Sequence, residues 1–430
     1  MRCLDAGIRY KSYSVKRFLQ RLILFSISGV VAALLAEGGA RLFLPTEHVS
    51  YLSWYENSDR ERVRFDEEVA RGIARHDLFP HGRPSWTRAA AYHLCYRDNP
   101  RSQLDLRGCV PVRFNRLGLR DREELTYEKP PDHRRVLCIG DSFTMCWGVR
   151  AEDGWVRQIE SRILLPQDLE AKVRTINAGG PWSLFVDEYR WGLENLFHQF
   201  RPDAVLVTIC LNDLAPMPDT LGWFRRPAQP PGWLAWSRLI GAIYSTTGQG
   251  PRLARDPKVD WGRRLLELPD SRDEIEALSE ADLEAWIEAF DLVTTRYESR
   301  KRELLWAQID QGLFAQQGML REQTWRRGGP QEALRGMHEW CEQRGIRFGI
   351  VVWPLFQETE TLARYPFTAM HRVVTDFADE QGIPVLDLLP EFLGQAAQSL
   401  WADPSDQHAN EIAHRIATPP IARFTGDLLR

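Results

Sequence analysis

From residue 134 onward the chain alternates short apolar runs with stretches of helical periodicity, and few architectures accommodate that rhythm. Residues 136–139, 173–176 and 204–210 are runs of strand length, rich in Val and Ile. Helical patterns lie between them, around residues 153–164 and 186–199. The alternation resumes at residues 348–352 and 384–388. Strands that alternate with helices predict an α/β fold, a three-layer α/β/α arrangement around a mostly parallel sheet covered on both faces. In such folds the chemistry sits at the carboxyl ends of the strands, so the residues that follow each run carry the most information.

Composition removes several classes of function. With 55 Lys+Arg against 59 Asp+Glu the net charge is −4, without the basic excess of a dedicated nucleic-acid binder. The seven cysteines include no C-x-x-C, which argues against a zinc ribbon or a thioredoxin-like redox site. No metal or organic cofactor is expected. One stretch is apolar enough to enter a bilayer, which excludes a multispanning protein. Residues 22–36 carry no charge, and the span from Leu22 to Leu44 is 23 residues long, where about 20 are needed to cross the hydrocarbon layer. Glu37 and Arg41 interrupt it at a spacing suited to an i,i+4 pair near one interface. Arg2, Arg9, Lys11, Lys16, Arg17 and Arg21 precede it, so the positive-inside rule places residues 1–21 in the cytoplasm and the bulk of the chain outside, in the periplasm or its equivalent. A cleaved signal peptide is the rival reading, since Gly38-Gly39-Ala40 offers small residues, but the apolar residues 42–44 that follow favour an uncleaved single-pass anchor. Export permits disulfides, and a Cys95–Cys109 bridge is the candidate, the alternative being two free thiols. Cys138 and Cys210 lie in strand-like runs and read as packing residues.

The chain thus divides into a cytoplasmic N-terminus (1–21), a membrane anchor (22–44), an irregular lead-in segment (45–133), and an α/β domain in two parts (134–214 and 331–430). The two parts are separated by a Pro- and Trp-rich, then helical, insertion (215–330). Within the insertion Leu283, Trp286, Ile287, Phe290 and Val293 recur at helical spacing behind Ser279 and Asp282, a capping-box-like start. The stripe reads as a core face, and the segment as an inserted subdomain and candidate lid beside the active edge of the sheet.

The first run is followed by Gly140-Asp141-Ser142-Phe143-Thr144. A Ser on a tight strand-to-helix turn exposes its hydroxyl, and the helix N-terminus offers free N–H groups to an anion. The second run ends in Asn177-Ala178-Gly179-Gly180-Pro181 and the third in Cys210-Leu211-Asn212-Asp213. Asp403-Pro404-Ser405-Asp406-Gln407-His408-Ala409-Asn410 precedes the last helical stretch. In this order the four blocks resemble the SGNH (GDSL-type) hydrolase superfamily. The flanking residues 115–120 and Trp147-Gly148-Val149 are similar to its membrane-anchored bacterial members. Cys210 stands where the family has Gly, and Ala409 where Pro is usual.

The resemblance covers about residues 113–214 and 331–428 and implies an SGNH/flavodoxin-like fold. It also implies an esterase acting through an acyl-serine intermediate, with Ser142 as nucleophile and His408 as general base. Ser142 and Gly179 backbone N–H groups, with the Asn212 amide, would form an oxyanion hole. The orienting acid is open between Asp406, two residues before His408, and Asp403 in reserve. Acyl transfer to or from an envelope polysaccharide, or a non-catalytic scaffold or glycan-binding role, are alternatives. Asp141 is expected to hold its turn, Asp213 to brace the Asn212 loop, and His414 to be structural.

Overall fold

The structure, a computed structural model, describes residues 4–43, 91–95, 109–115, 117–122, 124–164, 171–180, 185–217, 237, 239–240, 260–290, 292, 300–314, 319–403 and 406–430. The chain divides into two units, residues 1–49 with 225–250, and residues 50–224 with 251–430. The first is built on α1 (Leu4–Phe43), which runs on from the basic N-terminus through the apolar stretch. Within it Gln20–Leu42 is long and apolar enough to cross a membrane. Its large side chains are open, Phe25 at 79% and Leu35 at 72%, whereas Glu37 and Ala40 are covered. The i,i+4 spacing explains the pair of charges near the end of the run. Arg41 donates to Glu37 at 2.8 Å, and the other Glu37 oxygen accepts from Ser237 Oγ at 2.8 Å and Leu239 N at 3.1 Å. A carboxylate with several donors is far cheaper to hold in an apolar helix than a bare one.

The second unit opens with an antiparallel pair, β1 (Ala91–Cys95) and β2 (Cys109–Arg113). The lead-in segment was expected to be irregular, and this hairpin corrects that expectation. Its strands are five residues each, one contains Pro111, and residues 96–108 separate them, so no local period announces the pairing. Cys109 is disulfide-bonded and faces Cys95 in the register of the pair, while Cys138, Cys146, Cys210 and Cys341 are buried free thiols.

The main sheet follows, in chain order β3 (His133–Gly140), α2 (Ser142–Met145), α3 (Trp155–Ile159), β4 (Lys172–Gly179), α4 (Val186–Asn195) and β5 (Ala204–Cys210). After the insertion, with α5 (Trp261–Leu266), α6 (Arg272–Glu276), α7 (Glu280–Ala289) and α8 (Lys301–Ala307), come α9 (Gly329–Glu342), β6 (Arg347–Trp353), α10 (Thr368–Glu380), β7 (Val385–Asp387) and α11 (Leu389–Phe392). A short antiparallel pair, β8 (Trp401–Asp403) and β9 (Asp406–Ala409), leads into α12 (Glu411–Leu428). The five central strands are parallel in the order β4-β3-β5-β6-β7. The chain runs outward from β3 to β4 and then returns to β5 on the other side of β3. That reversal opens a crevice at the carboxyl ends of β3, β4 and β5.

Alternation along each strand sorts the core into two layers. Leu137, Ile139, Val207, Ile209 and Ile350 point to one face, beneath α4, α9 and α10. Val136, Cys138, Leu206, Val351 and Trp353 point to the other, beneath α3 and α12. The helices α5 to α8 of the insertion belong to the first layer. Trp261, Leu265, Leu283, Trp286, Ile287 and Leu305 are buried in one continuous cluster with the sheet side chains. Ser279 caps α7 by accepting from Asp282 N at 3.1 Å. Val293 lies outside the described residues. α12 extends past Ala417 through Pro419 and Pro420, and Thr418 Oγ1 donates to His414 O at 2.7 Å beside that interruption of the helical ladder.

Cys109→Ser removes the disulfide that Cys109 carries, and the loss should be about 2–4 kcal/mol of stability. Thermal unfolding of the purified variant, with and without reductant, checks this. Reductant should lower the melting temperature of the wild type and leave that of the variant unchanged.

Candidate active site

The geometry starts with two glycines. A Cβ on Gly179, at the end of β4, would lie 2.1 Å from Met145 N, and one on Gly140, at the end of β3, would lie 2.1 Å from Thr144 Oγ1 and 2.7 Å from Thr208 O. Side-chain-free strand ends let the single turn of α2 press directly onto the sheet edge. Asp141 starts that turn, accepting from Phe143 N at 2.9 Å. Cys146 ends it in the left-handed region at φ 65°, unusual for a residue with a side chain. The buried Arg120 guanidinium holds the exit by donating to the carbonyls of Met145, Cys146 and Val149. Three carbonyls are thereby fixed at the exit of a helix too short to be stable alone.

Ser142 therefore stands at the crevice on a rigid turn. His408 Nε2 lies 2.8 Å from Ser142 Oγ, and His408 Nδ1 lies 2.5 Å from Asp406 Oδ1. The same Asp406 oxygen accepts from His408 N at 3.1 Å. A carboxylate on Nδ1 holds the ring proton there and leaves Nε2 free to take the serine proton. Asp406 and His408 are on one side of the extended β9, as i and i+2 residues of a strand must be. Asn410 secures the end of β9. It accepts from Ile412 N and Ala413 N as the cap of α12 and donates to the carbonyls of Ser399 and Trp401.

Of the two candidate acids, Asp406 is the one within hydrogen-bond reach of the imidazole. Asp403 is buried on β8, its Cα paired with that of Asp406 across the hairpin. Asn212 sits in a 3₁₀ turn directly after β5. Its side-chain oxygen is buried with no hydrogen-bond partner among the described residues. Asp213 braces that turn, accepting from Cys210 N at 3.1 Å and Tyr189 Oη at 3.0 Å. Gly179 N donates to Asn177 Oδ1 at 3.0 Å, and Asn177 N is held in turn by Asp121 at 2.8 Å. Ser142 N, as the first amide of α2, has no intrahelical acceptor. His414 is fully buried, with its ring edge against Trp353. Among the described residues no group of three or more His, Cys, Asp and Glu is arranged to hold a metal ion.

Electrostatics separate the carboxyl groups. Burial works against a charged His408, but the charge and hydrogen bond of Asp406 and the charge of Asp141 outweigh it, and the pKa rises above the ordinary 6.5. Burial, with Asp141 nearby, pushes Asp213 well above the usual carboxylate range. Burial also raises Asp141, partly offset by the Phe143 amide and by His408. One further side chain belongs to the site and had no role in the sequence reading. Trp147 Nε1 donates to Asp406 Oδ2 at 3.1 Å, and its ring centroid is 5.7 Å from that of His408. Its only sequence signal is a place in the block that follows Ser142.

No family model and no curated protein matches the chain. Among solved structures it is similar to a G-D-S-L family lipolytic protein from Desulfitobacterium hafniense DCB-2, at 12% identity over 67% of this chain and 98% of that one, with a TM-score of 0.33. It is also similar to an acetylxylan esterase from Geobacillus stearothermophilus, at 14% identity over 67% and 92% of the two chains and a TM-score of 0.32.

The raised His408 pKa gives a sign. To take the Ser142 proton His408 would have to be neutral, so a rate that depends on it should climb with pH through a half-point above 6.5, with the protonated ring inactive below it. Asp406→Asn removes the charge that raises the pKa, so this limb should move to lower pH while kcat falls by up to about 10⁴. Asp403→Asn should leave the limb in place. Steady-state pH profiles of the three proteins decide it.

Proposed function

We propose that the chain is a serine esterase of the SGNH hydrolase type that cleaves an acyl ester through an acyl-Ser142 intermediate. The observation that carries this reading is the unbroken relay Ser142 Oγ, His408 Nε2, His408 Nδ1, Asp406 Oδ1, with contacts of 2.8 and 2.5 Å at the carboxyl edge of a parallel sheet.

In acylation, Ser142 Oγ attacks the ester carbonyl as its proton passes to His408 Nε2. The carbonyl oxygen gains negative charge and is met by donors from three elements. These are Ser142 N, Gly179 N, which would exchange Asn177 Oδ1 for the more strongly charged oxyanion, and the Asn212 amide. One well-placed donor of this kind is worth ~3 kcal/mol in the transition state. Asp406 stays ionised and stabilises the imidazolium. The intermediate collapses, the ester C–O bond breaks, and the departing alkoxide takes the proton from Nε2. Water then repeats the sequence, giving its proton to His408 and releasing the acid and free Ser142.

The N-terminal apolar helix supports a membrane-anchored enzyme whose main unit faces outward, with residues 1–21 in the cytoplasm. An acyl ester on an envelope glycan or lipid is the substrate class such a placement offers. Acyl transfer uses the same intermediate with a sugar hydroxyl replacing water, and a fold kept as a scaffold would carry out neither step.

The test uses the full-length chain in detergent with p-nitrophenyl acetate, with and without a glycan acceptor, and a fluorophosphonate probe. Wild type should hydrolyse the ester and be labelled at Ser142, and Ser142→Ala should lose labelling and a factor on the order of 10⁴ or more in rate. An unchanged rate in Ser142→Ala overturns the reading. Acetylated glycan in place of free acetate would move the assignment to transfer.

A further inference from the structure

We infer that Trp147 is the positioning residue of this site: its indole N–H fixes the second oxygen of Asp406 so that the first is presented to His408. The inference rests on the proposed Ser142–His408–Asp406 relay and adds a member to it.

A carboxylate turns easily about its terminal bond, because that torsion joins a tetrahedral carbon to a planar group and its wells are broad. Asp406 Oδ1 receives the His408 ring and backbone N–H groups, both from one side. Trp147 Nε1 donates to Oδ2 at 3.1 Å, and a donor on each oxygen leaves the plane of the group a single setting. Asp406 is 7% exposed and Trp147 3%, so water competes little for either contact. A hydrogen bond to a charged group in such a place is stronger than one between neutral partners.

The chain is built to aim this indole. α2 stops after one turn because Cys146 adopts the left-handed conformation, and Arg120 grips the carbonyls on both sides of Trp147. Strain of that kind persists only where the surroundings over-determine it. Behind the ring lie Leu94, Val110 and Val112 of the disulfide-bearing hairpin, with Met145 and Ala402, in a small cluster separate from the two main layers. Packing alone would be satisfied by any large apolar side chain. The directed N–H is what requires Trp.

The experiment compares wild type, Trp147→Phe, and a protein with benzothienylalanine at position 147, a ring of nearly the same shape without the N–H. Each is made as the full-length chain with Asp or Asn at position 406. The readouts are kcat on p-nitrophenyl acetate, the rate of fluorophosphonate labelling of Ser142, and the melting temperature. Losing the N–H should lower kcat and the labelling rate about 10- to 100-fold with Asp406 present, and by less than about twofold in the Asp406→Asn background. KM should not change, and the benzothienyl protein should melt with the wild type. An equal loss in both backgrounds makes Trp147 a packing residue and overturns the inference. So does full activity of the benzothienyl protein, while the loss of activity in Ser142→Ala keeps the reading of the site intact. If wild type shows neither turnover nor labelling at Ser142, the site reading itself fails and takes the inference with it.

Discussion

The whole site depends on how closely one turn of helix approaches two strand ends. A methyl group on Gly140 or Gly179 would overlap α2 or the neighbouring strand. With both positions bare, α2 settles onto the edge of the sheet, and Ser142 is held by backbone rather than by its own flexible torsions. Arg120 closes the other end of the turn by satisfying the carbonyls of Met145 and Cys146, which a helix this short leaves unpaired, and that of Val149 beyond them. Precision here comes from backbone contact, which deforms less than side-chain contact. That is the property a nucleophile needs when a misplacement of about 1 Å costs on the order of 10²-fold in rate.

Environment then divides the labour among three aspartates. Asp406 receives the His408 ring, the His408 amide and the Trp147 indole, donors that favour its charged form. Asp141 accepts from the amide of Phe143 as the cap of α2. Asp213 has a phenol and one amide in a fully buried place, and its pKa is driven well up. One residue type thus serves as charge partner to an imidazole, as helix cap, and as brace for the turn that carries Asn212. Which role each takes follows from the number and nature of its donors.

The periphery is tied to this centre through apolar packing. The β1–β2 hairpin shares a cluster with Met145 and Trp147, so the lead-in segment backs the wall of the acid's pocket. The helices α5 to α8 add their apolar faces to the layer beneath α4, α9 and α10. An insertion whose described side chains complete the core of its host stabilises the sheet whatever else it does.

The sequence by itself determined the sheet, the turn that carries Ser142 and the set of residues from which a relay can be made. Burial on both faces writes β3, β5 and β6 as continuous apolar runs, while β4 and β7 were legible as shorter runs in the same strand–helix rhythm. The turn chemistry of Gly140-Asp141-Ser142 and of Asn212-Asp213 lies within a few residues of each strand and is equally local, as is the i,i+4 spacing of Glu37 and Arg41. The spacing of Asp406 and His408 already favoured that acid, because an extended backbone sends alternate side chains the same way. Other features were decided by tertiary structure alone. The β1–β2 pairing joins segments 13 residues apart with no period to mark it, the stacking of the insertion on the main core is a long-range contact, and the bond from Trp147 to Asp406 spans 259 positions. No local pattern encodes such a distance. It exists only once β9 has been carried back to the carboxyl end of β3, where both side chains are buried.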